Sequence, residues 1–429
     1  MSSNSVIRPG FSGSGSTGFY PCLEVDEKKS ARPGATDYNR ATLKQPDSVL
    51  DGRTLGRLDR WRNARALFVR AEGAEAEQAV ALAFGRRWSR AQVYGRARRL
   101  LVETNAEKFL ENLEERLGLL SDRVRVAPED PGQTKWDALG NLTTLSRARS
   151  ELRSLWLADL LRSGDFYTKF QPIADLETGR AVGYEGLLRA RAESASRPSA
   201  EMFPAARALR LERPFEALSW LCVVEAAGRL SAGTRLFLNV NPRLLAEKPD
   251  ELETLWRALD DAGVAASRVV LDLVEVESVE NLEGLARAVA EAREHDVVVA
   301  LDDMTSPYKA IKLCESFRPE WAKVDWEITR GVARDPRRRA ILRFFGRLSK
   351  HFSFGLIAEG VENREDLEVC ADAGVVAAQG YFVGRPAPDP PAPNPEFLDW
   401  VGSRRPPARL ARPALEESEN GAESEERAS

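Results

Sequence analysis

Between residues 165 and 388, short apolar runs alternate with amphipathic stretches. The runs YTKFQPIA, AVGYEGLL, RLFLNVN, VVLDLVE, DVVVALDD, WAKVDW, FGLIAEGVE and AAQGYFVG are rich in β-branched and aromatic residues and read as strands. Between them lie FEALSWLCVVEAAGRL, LETLWRALDDAG, NLEGLARAVAEAREH, PYKAIKLCESF, RRRAILRFFGRLSKHF and REDLEVCADAG. These repeat their apolar residues at helical spacing and read as helices. The alternation predicts an α/β fold, a TIM-like (β/α)8 barrel over residues 165–390, better than an open doubly wound sheet. No GxGxxG follows the first strand, and no P-loop motif occurs anywhere.

Upstream the pattern differs. ALFVRA, AQVYG, RRLLVET and RVRVAPED read as strands, with EAEQAVALAFGRRW and NAEKFLENLEERLGLL as helices. This predicts a small α/β module over residues 56–140, in a sensory or regulatory position. Its arginines (Arg86, Arg87, Arg90, Arg96, Arg98, Arg99) are balanced by nearby glutamates and read as a solvated face. TTLSRARSELRSLWLADLLRSG predicts one amphipathic connector helix within residues 141–164. Residues 1–55 are rich in Ser, Gly and Pro and are expected to be disordered. The same expectation covers residues 391–429, proline-rich and then acidic, around the short segment EFLDWV.

Composition narrows the classes. A chain of 429 residues with 43% hydrophobic content can bury a sizeable core. A net charge of −4 and a pI near 5.7 argue against a nucleic-acid polymer or an anionic membrane as partner. The four cysteines (Cys22, Cys222, Cys314, Cys370) form no CxxC pair and fit a reducing compartment. The presence of only His295 and His351 argues against a His-rich metal site or a Ser–His–Asp triad. No secretory signal or apolar stretch of transmembrane length occurs, so the expectation is a soluble, cytoplasmic protein.

The informative polar residues lie where the predicted strands end: Glu185, Asn239, Asp272 with Glu275, Asp302 with Asp303, Lys323 with Asp325, Glu359 with Glu362, and Gln379. In a barrel these ends converge on one mouth, where TIM-barrel sites are built. Taken singly, the acids and amides read as helix caps, turns or solvated loop groups, and Lys323 as an interior salt-bridge partner. Seven strands sharing one chemistry is not what independent capping produces. Carboxylates and an amide, without His or Cys, suit Mg²⁺ or Mn²⁺, and two such ions would balance the negative charge.

These residues resemble the EAL-domain cyclic di-GMP phosphodiesterases. The resemblance is carried by FQPI (170–173), GYEGLLR (183–189), FLNVNP (237–242), LDLVE (271–275), LDD (301–303), KVD (323–325), AEGVE (358–362) and QGYFVGRP (379–386). It implies a barrel whose first strand is antiparallel, two Mg²⁺ or Mn²⁺ ions, and hydrolysis of cyclic di-GMP to linear pGpG in bacterial second-messenger signalling. Glu185, Asn239, Asp272, Asp302, Asp303 and Glu359 fall on the metal-ligand positions, Glu359 and Lys323 on the catalytic ones, with Lys323 orienting water. Glu275, Asp325 and Glu362 fall on supporting positions. Gln171, Leu187, Arg189, Gln379 and Pro386 fall where members touch substrate, Arg189 against a phosphate. A homodimer through the barrel follows by analogy.

Three departures stand out. Gly186 replaces the Ala of the family's Glu-Ala-Leu motif. Asp272 replaces a Glu and is shorter by one methylene. The loop after the acid pair reads DMTSPYKAI where members have DFGTGYSSL. There Met304 and Thr305 replace Phe and Gly, Pro307 restrains φ, and a position needing φ > 0 would be poorly served by Thr305. The alternative is therefore a barrel that binds cyclic di-GMP without turnover and relays occupancy through residues 60–163, or a protein-interaction scaffold.

Overall fold

The computed structural model describes residues 52–102, 105–130, 134–191, 198–247, 251–276 and 279–404. Five strands precede the barrel: β1 (Ala66–Ala71), β2 (Gln92–Tyr94), β3 (Ala97–Leu101), β4 (Val124–Pro128) and β5 (Thr143–Thr144). They form one antiparallel sheet in the order β2-β3-β1-β4-β5. Helices Ala74–Phe84 and Ala106–Leu117 belong to the same unit, and Leu110, Leu113 and Val80 pack against Leu67, Val69 and Val126 of the sheet.

The predicted barrel strands follow as β6 (Phe166–Asp175), β7 (Ala181–Ala190), β8 (Arg235–Val240), β9 (Val269–Leu273), β10 (Val298–Met304), β11 (Trp321–Val324), β12 (Gly355–Ala358) and β13 (Ala377–Ala378). They close in the order β10-β11-β12-β13-β6-β7-β8-β9. β6 is antiparallel to both of its neighbours, whereas every other pair is parallel.

Alternation along the strands explains why the interior holds a site. Ile173, Phe237, Val270, Ala300, Trp321, Ile357 and Ala377 form one apolar cluster, each from a different strand. Side chains two apart share a face. Two residues on, the same inward direction is taken by Asn239, Asp272, Asp302, Lys323, Glu359 and Gln379. On the reversed strand β6 the step runs backwards, from Ile173 to Gln171. On β7 the equivalent of the floor residue is Gly183, where a Cβ would come within 2.7 Å of the Phe237 ring, and two on from it stands Glu185. A polar ring therefore sits directly above a dry apolar floor. The outward residues, such as Leu271, Leu273, Val299 and Leu301, join the surrounding helices in the main core.

Several expectations are corrected. The single helix expected over residues 143–163 is β5 followed by helices Leu145–Arg153 and Leu155–Ser163. Thr144 caps the first by accepting from the Arg147 N–H. The Ser154 hydroxyl bonds back to the Ser150 carbonyl at 2.8 Å, a competition with the helix ladder that accompanies the break. The tail expected to be disordered from 391 contains helix Pro395–Ser403, held because Phe397 and Trp400 are fully buried. At the other end, helix Gly52–Asn63 begins inside the segment expected to be disordered; residues 1–51, with Cys22, and 405–429 lie outside the described residues. The run AAQGYFVG pairs only at Ala377–Ala378, because the chain then turns with Val383 and Gly384 N–H groups bonded to the Gly380 carbonyl. Helices Met202–Leu209, Pro242–Glu247 and Trp326–Thr329 were not expected.

The Gly186 departure has a packing reason. An added Cβ there would lie 2.3 Å from Val223 Cγ1 on helix Glu212–Ala227. Val223 is β-branched and 1% exposed, so it has little freedom to move aside. Gly186→Ala is expected to destabilise the protein by about 1–3 kcal/mol through overpacking. Combined with Val223→Ala, the loss should be smaller than the sum of the single losses. Urea unfolding of the four proteins in this cycle measures it; strict additivity would refute the packing explanation.

Candidate functional site: a carboxylate ring around Lys323

Lys323 occupies the centre of the polar ring and is fully buried. Its Nζ lies 2.6 Å from Glu359 Oε1, 2.9 Å from Asp272 Oδ2, 3.0 Å from Asp302 Oδ1 and 3.9 Å from Glu185 Oε2. Burial alone would depress the ammonium pKa, but the surrounding carboxylates outweigh it and hold Lys323 charged well above its ordinary value. Glu185 is fixed from the other side: Asn239 Nδ2 donates to it at 2.9 Å and Gln379 Nε2 at 2.5 Å. Burial pushes Glu185 up, yet Lys323 and those two donors bring its pKa below the usual value. Gln379 Nε2 also donates to Gln171 Oε1 at 3.1 Å, and Gln171 in turn donates to the Gly384 carbonyl.

Asp302 and Asp303 should face opposite sides of β10, since they are consecutive. A bulge between Leu301 and Met304, with Asp303 at φ 53°, turns both toward the mouth. Carboxylate oxygens of Asp302, Asp303 and Glu359 then lie within 4.8 Å of one another. The left-handed residue that the loop needs is thus Asp303, a type that tolerates this conformation. The expectation that Thr305 would have to supply it is corrected. Met304 is fully buried, and Pro307 takes the first turn of helix Pro307–Phe317, where its missing N–H costs nothing.

Five carboxylates against one ammonium leave an unbalanced charge. Burial, reinforced by the neighbouring acids, raises the pKa values of Asp272, Asp302 and Glu359 and pushes Asp303 up to about 11. Neither oxygen of Asp272 nor of Glu359 accepts a hydrogen bond of regular geometry, and Asn239 Oδ1 is also buried without a donor. Lys323 approaches one oxygen of each acid as a close ion pair, so Asp272 Oδ1 and Glu359 Oε2 are the oxygens left without a partner. Buried oxygens left in this state cost free energy unless a cation or proton satisfies them. A hard divalent cation fits the donor set.

The remaining predicted positions are less central. Glu185, Leu187 and Arg189 share one face of β7 by alternation, and Arg189 acts electrostatically on Glu185. Pro386 is half-buried beside Ala387, which bridges to Phe170. Asp325 is buried, caps helix Trp326–Thr329 and has a raised pKa from burial. Glu275, at φ 51°, reaches Arg207 at 3.8 Å, and Glu362 reaches Arg330 at 3.4 Å. These two acids pair with arginines outside the ring.

Residues 154–386 match the model of the EAL domain. The chain belongs to the EAL-domain family. Among similar proteins, the cyclic di-GMP phosphodiesterase PA2567 of Pseudomonas aeruginosa is 26% identical over 244 residues, 55% of this chain and 40% of that protein. Rv1354c of Mycobacterium tuberculosis is 26% identical over 278 residues, 62% of this chain and 44% of that one. Each match thus spans less than half of the relative. The cyclic di-GMP complex of the phosphodiesterase PaMucR superposes with a TM-score of 0.50 at 19% identity, over 55% of this chain and 98% of that one, a likeness of fold. No described helix is long and apolar enough to cross a membrane.

Three supports of this EAL site lie on helices and escaped the sequence. Trp220 Nε1 donates to the Asn239 carbonyl at 3.1 Å, and the Asn241 N–H donates to Glu216 Oε1 at 2.5 Å. Both acceptor and donor come from helix Glu212–Ala227, which so clamps the end of β8. The Thr329 hydroxyl donates to the Glu359 carbonyl. The available signal was one glutamate set among Phe215, Leu218 and Trp220. Glu216 is fully buried with Oε2 unpartnered, and burial pushes its pKa up to about 8. The unfolded chain releases this proton above about 4.5 whereas the fold retains it to about 8, so stability is lost as pH rises through that interval. Glu216→Gln keeps the acceptor and removes the proton. Between pH 5 and 8 the urea midpoint of the parent is expected to fall further than that of the variant; parallel declines would refute it.

Proposed function

We propose that this EAL barrel is a cytoplasmic, metal-dependent phosphodiesterase that hydrolyses cyclic di-GMP to linear pGpG. The observation that carries the reading is the buried ring itself, with carboxylates in excess, Asp272 Oδ1, Glu359 Oε2 and Asn239 Oδ1 left without donors, and a single charged lysine among them. Glu185, Asn239, Asp272, Asp302, Asp303 and Glu359 would hold two Mg²⁺ or Mn²⁺ ions, which when bound neutralise the site and polarise phosphate and water oxygens. Lys323, held charged at the centre, orients the attacking water. That water forms the new bond to phosphorus, the bond to one ribose 3′ oxygen breaks, and a proton passes to that oxygen. Arg189 offers its guanidinium to a phosphate, and Gln171, Leu187, Gln379 and Pro386 border the substrate. Asp325, Glu275 and Glu362 support the strand ends. Tyr308 and Ile311, exposed on the helix after the acid pair, are the candidate face for a homodimer.

A receptor without turnover is the second reading, favoured by one observation. Asp272 has the shorter side chain, and Lys323 already draws its carboxylate to 2.9 Å. A displacement of about 1 Å at a reacting centre can cost on the order of 10²-fold in rate.

Purified protein with cyclic di-GMP and Mg²⁺ or Mn²⁺ is expected to yield pGpG, followed by chromatography, while calorimetry reads binding. Glu359→Ala should lower turnover by about 10²-fold or more with the fold intact. Asp272→Glu should raise it. Tight binding with no product from the parent would replace the hydrolase reading with the receptor one.

A further inference from the structure

The upstream sheet and the barrel meet around a second candidate site, whose lining shares no residue with the ring. Helix Gly52–Asn63, β4, β5, helix Leu145–Arg153 and the residue ending helix Met202–Leu209 line a cavity of about 680 Å³. Its wall carries Arg60, Arg125, Arg147 and Arg210, against one carboxylate, Glu151. That carboxylate is already engaged twice, by Trp61 Nε1 at 3.1 Å and Arg147 Nε at 3.3 Å.

The manner of pairing matters. Arg60 meets Asp130 through Nε at 3.2 Å, Arg125 meets Glu72 through Nε at 3.3 Å, and Arg147 meets Glu151 through Nε. Among the described residues, the Nη groups of Arg125 and Arg147 have no protein acceptor. Those paired donors are the part of a guanidinium that grips a phosphate on two oxygens. Arg210 comes from the barrel side and ends its helix in the left-handed conformation, φ 59°, uncommon for a long side chain. A smaller cavity of about 360 Å³ adjoins through Thr144 and Arg147 and adds Arg207. Ordinary surface ion pairs would explain the individual contacts, each contributing little. They do not explain why four guanidinium groups border one concave space, an arrangement that offers several charge-assisted donors to a single anion.

We infer that this cavity binds a small polyanion of the oligophosphate or phosphate-ester class, at a site built from residues other than those of the ring. Its volume suits a small metabolite, and its place between two structural units is where such ligands are commonly held.

Calorimetric titration of the full chain with inorganic pyrophosphate tests this, with EDTA present to keep divalent ions from drawing phosphate to the mouth. Saturable binding of one pyrophosphate per chain is expected. Arg125→Ala and Arg147→Ala should each weaken it about tenfold or more, the loss of a charge-assisted pair. Arg125→Lys and Arg147→Lys, which keep the charge and lose the fork, should also weaken it, so a folding defect in the alanine variants does not decide the matter. Arg189→Ala at the mouth should leave binding unchanged. Absence of saturable heat, or binding lost in Arg189→Ala and retained in the cavity variants, overturns the proposal. Citrate binding as tightly as pyrophosphate overturns the phosphate assignment.

Discussion

One buried ammonium among five carboxylates governs this barrel. Lys323 has no exposure to solvent, so its charge is tolerated only because Asp272, Asp302 and Glu359 lie within 3.0 Å of it. The acids in turn exceed what one lysine can neutralise. Neither partner set is stable alone, and removing Lys323 would strand several buried acids together. The surrounding structure serves this arrangement. The apolar floor beneath excludes water, which strengthens every interaction above it. The donors Asn239 and Gln379 hold Glu185, and Trp220, Glu216 and Thr329 hold the backbone from which Asn239 and Glu359 project.

Much of this was legible in the sequence, for a definite reason. In a barrel strand the inward face alternates by twos, so a polar residue two beyond an inward apolar one announces a mouth position. Asp272 after Val270 and Lys323 after Trp321 are examples. The supports were not legible because their partners are remote in sequence and on other element types: Thr329 reaches Glu359, and Glu216 reaches Asn241, through contacts that no period encodes. Helix Pro395–Ser403 was hidden by flanking prolines that suggested a tail, although Phe397 and Trp400 needed burial. The break at Ser154 accompanies a hydroxyl bonded to a backbone carbonyl, a local competition that hydrophobic patterning does not carry.

The departures from the family's usual letters also become intelligible as exchanges of volume and backbone shape. At Gly186 the missing methyl leaves the space that Val223 Cγ1 occupies. In the loop after the acid pair, the left-handed backbone is assigned to Asp303, which leaves Met304 free to fill the core and Pro307 free to start a helix. Asp272 alone alters the reach of a group inside the ring.

The reversed strand β6 has a consequence for wiring. Its register pairs Phe166 with Ala190, and Gln171 with Glu185, so the strand enters at the level of the mouth and descends toward the floor. A barrel with every strand parallel would receive its upstream chain at the opposite, floor end. Here Leu157, Leu160 and Leu161 of the preceding helix share a core with Phe166 and Leu188 at the rim. The upstream unit is thereby packed against the mouth end of the barrel, the end that carries the ring, rather than against its floor.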